Sequence, residues 1–106
     1  MENIDEAVEA YVRAIKDTEE YRSYIREKDK VLQYPVLKSQ IDEFRSRNYK
    51  IQNSGCANME TIEAFEREYE VFRENPLVSD FLAAELAFCR MMQELDVRIV
   101  ASLDFE

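Results

Sequence analysis

The sequence predicts an all-α fold of four to five helices, arranged in antiparallel hairpins with a long C-terminal helix, in a chain that dimerises. Glycine occurs once and proline twice among the 106 residues, whereas a sheet-rich fold needs turn residues every eight to twelve positions. Apolar residues recur at three- and four-residue steps, which is the spacing of a helical face. Because 46% of the residues are hydrophobic, we expect one ordered domain that covers residues 1–106.

The first two predicted helices are separated at Thr18. The first runs from about Ile4 to Lys16, with Asn3 as its predicted N-cap. Thr18 is the predicted N-cap of the second helix, which continues to about Gln33. The sequence leaves open whether these are two helices or one kinked helix. The apolar stripe of the first helix consists of Ile4, Ala7, Val8, Tyr11, Val12 and Ile15.

Two proline junctions and one glycine divide the rest of the chain. Tyr34-Pro35 ends the second helix and begins a third, because proline disfavours helix in the residue before it and suits a first turn. The third helix is predicted over Pro35 to Asn53, and Gly55 is predicted as a left-handed cap at a hairpin tip. The fourth runs from about Met59 to Glu74. Its apolar seam consists of Ile62, Phe65, Tyr69 and Phe72.

The fifth predicted helix begins at Asn75-Pro76 and continues to about Leu103. Its apolar residues fall on more than one helical face, so one neighbouring helix cannot cover them all. We therefore expect this helix to form the contact between two copies of the chain. The predicted interface residues are Val78, Phe81, Leu82, Leu86, Phe88, Met92, Leu95 and Ile99.

Few residues could carry catalysis. The chain has no histidine, which removes the commonest general base and metal ligand, and one glycine cannot build a phosphate-binding loop. We therefore predict no catalytic residues, no enzymatic activity and no cofactor. Glu63, Glu66 and Glu70 share a helical face, which fits either a divalent-cation site or a solvated surface opposite the apolar seam; we favour the surface.

The two cysteines differ in their predicted surroundings. Cys89 lies among apolar residues and is expected to be buried, as free cysteines usually are. Cys56 lies in the predicted hairpin loop and is expected to be the more accessible thiol. Cys56 is the one candidate ligand for a metal or an iron–sulfur cluster, and because a cluster takes four cysteines, this chain could supply only part of the set. No other metal site is predicted.

Charge and hydropathy limit the partners. The net charge is −9 and the basic residues are scattered, so direct binding to nucleic acid is not expected. The N-terminal segment MENIDEAVEA is acidic where a signal peptide would be basic, and no apolar run approaches the ~20 residues of a membrane span. We expect a cytoplasmic protein without a membrane partner. Two cysteines fit a reducing compartment.

The chain resembles the YlbF/YmcA family of small helical bacterial proteins. The resemblance extends from about Val8 to Leu103, and its most specific part lies after Asn75. It rests on Glu20, Tyr21 and Tyr24, on Tyr34, Pro35 and Leu37, and on Asn75, Pro76, Val78, Phe81, Leu82, Ala84, Glu85 and Phe88.

This resemblance implies an all-helical, self-associating protein with a non-enzymatic role in the cytoplasm of Gram-positive bacteria. Some family members form a complex that affects biofilm formation, competence and sporulation, is linked to RNA processing through ribonuclease Y and can carry iron–sulfur clusters. This chain has two cysteines and none after Asp104, which departs from a cluster-bearing pattern.

Two functions are expected on these grounds. The first is a regulatory adaptor that acts by homodimerising and by docking on partner proteins, including other helical proteins of the same family. The alternative is an accessory subunit of the ribonuclease Y-linked complex, in which Cys56 contributes to a shared iron–sulfur site.

Overall fold

The structure is a computed structural model that describes residues 1–53, 55 and 58–104, and within these ranges all regular structure is helical. There are six helices in the described residues: α1 (Glu2–Lys16), α2 (Glu19–Leu32), α3 (Pro35–Asn53), α4 (Met59–Glu68), α5 (Glu70–Glu74) and α6 (Pro76–Ser102). The predicted all-α class is therefore confirmed for this part of the chain. The long C-terminal helix is also present.

The helix boundaries follow the local signals in the sequence. The Thr18 hydroxyl accepts a hydrogen bond from the backbone N–H of Tyr21 at 3.1 Å and caps α2 as predicted. The Asn75 side chain accepts from the N–H of Leu77 at 3.0 Å, and Pro76 occupies the first turn of α6. Gly55 has a φ of 69°, as predicted for a left-handed position. Thr18 therefore separates two helices and does not merely mark a bend.

Two predicted boundaries were wrong. α1 begins at Glu2, with Met1 as N-cap and no side-chain hydrogen bond, so Asn3 is not the cap. The predicted fourth helix is interrupted at Tyr69, where φ is −104° and ψ is 10°, so the helix count rises to six. The reason is tertiary, because the Tyr69 ring packs against Phe44 and its hydroxyl accepts a hydrogen bond from Arg47 at 2.9 Å.

The core lies where α2 packs antiparallel against α6. Tyr21 meets Phe88 near the start of α2, while Tyr24 lies beside both Phe81 and Phe88. The buried cluster consists of Val31, Ile41, Val78 and Phe81, with Tyr24, Leu37, Phe72 and Leu82 packed around it. Helices α3 and α4 form an antiparallel hairpin in which Phe44 stacks on Phe65 at 5.4 Å between ring centres.

The single chain is extended and thin. Its radius of gyration is 17.5 Å, whereas a compact domain of this length has about 13 Å. Its shortest dimension is 19 Å, which is about two helix diameters. Most helices are therefore covered on one side at most, and this geometry determines which apolar residues stay accessible.

Candidate interaction surface

Helix α1 contains no buried residue, although it has the clearest apolar stripe in the chain. Ile4, Val8 and Val12 are 56%, 52% and 40% exposed. Only Tyr11 and Ile15 are partly covered. We call Ile4, Val8 and Val12 the α1 face. Its exposure is notable because a helix of this length is only marginally stable in water without packing against another surface.

A shallow apolar groove runs between α1 and the last turns of α6. It encloses about 370 Å³ and is lined by Tyr11, Leu95, Arg98, Ile99, Ser102 and Leu103. The Tyr11 hydroxyl is buried there and has no hydrogen-bond partner among the described residues. Tyr11 is the α1 residue in this lining, so α1 and the end of α6 meet at this point.

The predicted interface residues of α6 divide into two groups. Val78 and Phe81 are 0% and 3% exposed within the single chain, Leu82 packs against the same core, and the Phe88 ring stacks on Tyr24 at 5.3 Å. Val78 and Phe81 are therefore already covered within one chain, mainly by α2, and the predicted contact between copies stays a prediction for the other residues of the set. Both apolar faces of α6 looked alike in the sequence, and only the packing of α2 distinguishes them.

The other predicted residues remain available to a partner. Leu86 and Ile99 are exposed, and Met92 and Leu95 are half-buried. Val97 and Val100, which were not in the predicted set, are also exposed. Leu86, Val97 and Val100 are exposed aliphatic residues of α6 outside the buried core, and we call them the outer face of α6. The apolar residues on the several faces of α6 are thus partly packed in the core and partly left uncovered.

Two arginines of α3 hold the helices in place and were not singled out in the sequence. Arg45 pairs with Glu85 of α6 and with Asp42, and its guanidinium lies 5.7 Å from the Phe81 ring centre. Arg45 and Glu85 are far apart in the sequence, and no sequence motif indicates that they meet. The hydrogen bonds from Lys38 and Arg45 keep the pKa of the Asp42 carboxyl below its usual value.

Arg47 forms a similar contact between α3 and α4. Its guanidinium donates two hydrogen bonds to Glu68, at 2.6 and 2.8 Å, and lies 5.2 Å from the Tyr69 ring centre. This paired geometry keeps the pKa of the Glu68 carboxyl below its usual value and raises the pKa of Arg47. These groups orient the hairpin, and Arg47 and Glu68 also line a shallow open groove of about 340 Å³ together with Thr61 and Phe65.

The cysteine predictions have different outcomes. Cys89 is exposed in the single chain, so the prediction that it is buried was wrong. The apolar neighbours of Cys89 in the sequence did not reveal this exposure. Cys56 lies outside the described residues, so its accessibility relative to Cys89 stays a prediction. Since one chain supplies two thiols and a cluster takes four, the donors of a single chain do not fit an iron–sulfur cluster.

The acidic face of α4 and α5 opens to solvent. Glu63, Glu66 and Glu70 line a shallow surface groove together with Arg67 and Arg73. Across residues 1–53, 55 and 58–104, no group of three or more histidine, cysteine, aspartate or glutamate side chains is placed to hold a metal ion. The mixed charges agree with the solvated-surface interpretation of this face.

In the part of the chain that the structure describes, none of the helices combines the length and the apolar character needed to cross a membrane.

Comparison with known proteins identifies a protein family that the sequence matches. A family model described as "Control of competence regulator ComK, YlbF/YmcA" matches residues 4–104. Two proteins of similar sequence are called "UPF0342 protein", one from Caldicellulosiruptor bescii at 19% identity and one from Caldicellulosiruptor saccharolyticus at 16%. Both alignments cover 100% of this chain and 92% of the relative. No solved structure gives a significant match to the chain.

Proposed function

The chain belongs to the YlbF/YmcA family, which is linked to control of the competence regulator ComK, and we propose that it is a non-enzymatic regulatory adaptor. In this proposal it acts by associating with itself and by docking on other proteins. The cytoplasm is the proposed location, in keeping with the two-cysteine composition.

One observation carries the proposal: apolar side chains on two different helices remain uncovered in a thin, extended chain. The α1 face and the outer face of α6 together expose six aliphatic side chains, namely Ile4, Val8, Val12, Leu86, Val97 and Val100. Each large aliphatic side chain that is taken out of water contributes roughly 1.5–3 kcal/mol. Exposed apolar side chains that are grouped on one helix are typical of sites of protein contact.

The lack of catalytic groups supports the non-enzymatic part of the proposal. The sequence contains no histidine. The groove beside Tyr11 is apolar, and the groove beside Glu63 is a surface of mixed charge without a nucleophile. In the described part of the chain, the perturbed pKa values belong to Asp42, Arg45, Arg47 and Glu68, which pair with each other or with Glu85 and serve packing.

The test combines assembly state with partner capture. Sedimentation equilibrium at micromolar concentration should show wild-type protein heavier than a monomer. Leu86→Glu places a charge on the outer face of α6 and should reduce association or the recovery of partner proteins. Gln52→Glu adds the same charge at an exposed position of α3 and serves as the matched control. A folded wild-type monomer, or identical partner recovery by both variants, would contradict the proposal.

The alternative function, an accessory role in a ribonuclease Y-linked complex, has a separate test. It requires Cys56 to join thiols from other chains, because this chain contains two cysteines. Anaerobically purified complex should then absorb visible light, and Cys56→Ser should remove that absorbance. A colourless complex that still contains the family partners would favour the adaptor function alone.

A further inference from the structure

We propose that two copies of this chain associate through α1, with the α1 helices antiparallel to each other across a two-fold axis. This inference rests on the proposed self-association and assigns its contact surface. It moves the contact from the middle of α6 to α1 and the adjoining end of α6. The occupant of the α1 face is therefore a second copy of the chain.

The first step concerns the stability of α1. The helix has 15 residues and no buried side chain. Isolated helices of about this length are marginal in water, and most helix stability in proteins comes from packing an apolar face. Within the chain, only Tyr11 and Ile15 are partly covered. A partner surface is needed to stabilise the remaining apolar face, which consists of Ile4, Val8 and Val12.

The second step concerns charge. The N-terminal half of α1 carries four acidic residues, Glu2, Asp5, Glu6 and Glu9, whereas Arg13 and Lys16 near its C-terminus are basic. Two such helices in parallel would place acidic residues against acidic residues. In the antiparallel arrangement the acidic half of one copy lies against the basic half of the other. Complementary charge of this kind selects the orientation of a contact.

The third step gives the register. At about 100° per residue, Asp5 and Lys16 both project from the edge of the face that contains Val8 and Val12. Among the described residues of the chain, neither Asp5 nor Lys16 has an ion-pair partner. An antiparallel pair that places Val8 against Val12 of the second copy also places Asp5 beside Lys16 of the second copy. The two-fold axis repeats both contacts.

The fourth step concerns the end of α6. Because Tyr11 of α1 and the last turns of α6 line one groove, the end of α6 adjoins the α1 face. In the proposed dimer the two α1 helices and the two ends of α6 therefore lie near each other, as in a four-helix arrangement. The outer face of α6 takes no part in this contact and stays free for a different partner.

The experiment uses charge reversal in the full-length chain. Asp5→Lys and Lys16→Asp are made singly and together, and the dimer dissociation constant is measured by sedimentation equilibrium at low ionic strength. Each single change should weaken the dimer roughly tenfold, because it places like charges at two symmetric contacts. The double variant should return to within about threefold of wild type, since the pairs re-form with reversed sign.

The design separates contacts between copies from effects within one copy. Asp5 and Lys16 are about 16 Å apart along the helix at ~1.5 Å per residue, so they cannot pair in the same chain. Both reversals oppose the helix dipole, but that effect is additive and cannot restore the double variant. Glu6→Lys with Arg13→Glu is the matched control, because these residues project away from Val8 and Val12. In that control, the dissociation constant of the double variant should equal the value obtained by adding the effects of the two single changes.

The possible outcomes distinguish the α1 contact from other modes of association. Weakened singles with a restored double variant support the antiparallel α1 contact. A wild-type dimer whose double variant is no better than the singles overturns this contact and leaves the proposed adaptor function standing. A folded wild-type monomer overturns both. A dimer weakened by Leu86→Glu and unaffected by the α1 variants would show that the second copy binds the outer face of α6.

Discussion

Arg47 illustrates how one side chain organises the α3–α4 hairpin. It donates to both carboxylate oxygens of Glu68 and to the Tyr69 hydroxyl, and it lies over the rings of Phe65 and Tyr69. A bidentate arginine–carboxylate pair fixes orientation as well as distance. The same contacts surround the point at which the helix is interrupted. The residue therefore connects a local departure from helical geometry with the packing of the aromatic cluster.

Arg47 leads to a prediction about pH. Because pairing lowers the pKa of the folded-state Glu68 carboxyl, its stabilising effect is present above the unfolded pKa of about 4.3 and is lost as the pH falls through the folded-state pKa. The difference in unfolding free energy between wild type and Arg47→Met should thus be constant near neutral pH and shrink below about pH 4. Urea unfolding across this range is the measurement.

A control separates this pair from general charge effects. Arg67→Met removes an equal charge from α4, where no ion pair involving Arg67 is present among the described residues. Its effect on stability should show no comparable decrease below pH 4. An Arg47→Met effect that does not vary between pH 7 and pH 3 would mean that cation–π packing, and not the ion pair, dominates.

Tyr11 gives a second prediction at this scale. Its hydroxyl is buried beside the end of α6 without a hydrogen-bond partner in the described chain. Since an unpaired buried hydroxyl costs about 1–3 kcal/mol, Tyr11→Phe should leave stability unchanged or raise it slightly. Thermal unfolding of both proteins at equal concentration is the measurement. A loss of more than about 1 kcal/mol would indicate that the assembled protein supplies a hydrogen-bond partner.

At the scale of whole elements, α6 combines two tasks. Its inner face carries Val78 and Phe81 into the core with α2, and its outer face leaves Leu86, Val97 and Val100 uncovered. One helix therefore stabilises the fold and presents a surface for contact. The division explains why its apolar residues do not form a single stripe.

The inner face can be tested through Phe88. Because its ring packs on Tyr21 and Tyr24 of α2, Phe88→Ala should lower the unfolding free energy by about 2–4 kcal/mol. Denaturant unfolding at one protein concentration measures the change. Leu86→Ala is the comparison, and it should cost less than about 1 kcal/mol in the monomer because the side chain is half exposed. Equal losses would contradict the assignment of the two faces.

For the molecule as a whole, shape and stability are connected. A chain with a radius of gyration of 17.5 Å leaves apolar surface that association would cover, so folding and association should be linked. The thermal midpoint should therefore rise with protein concentration, by about 5 °C for a hundredfold increase. Differential scanning calorimetry across that range is the measurement. A midpoint independent of concentration would indicate that the folded monomer is stable by itself.

Much of the fold could be predicted because its signals are local. The proline junctions at Pro35 and Pro76, the cap at Thr18 and the positive φ of Gly55 all depend on residues within a few positions. The extent of α3 and the family resemblance also follow from short-range pattern, and the family match covers residues 4–104.

The sequence by itself therefore determined the helical class, most helix boundaries and the family, since short segments carry those preferences. Only the tertiary structure decided which face of α6 the chain covers, that Arg45 meets Glu85, that the helix is interrupted at Tyr69 and that Cys89 is exposed. These features depend on side chains far apart in the sequence that meet once α2, α3 and α6 pack. A periodic apolar pattern indicates that a helix has a face suited to packing. Which helix packs against that face depends on how the helices are arranged in the folded chain.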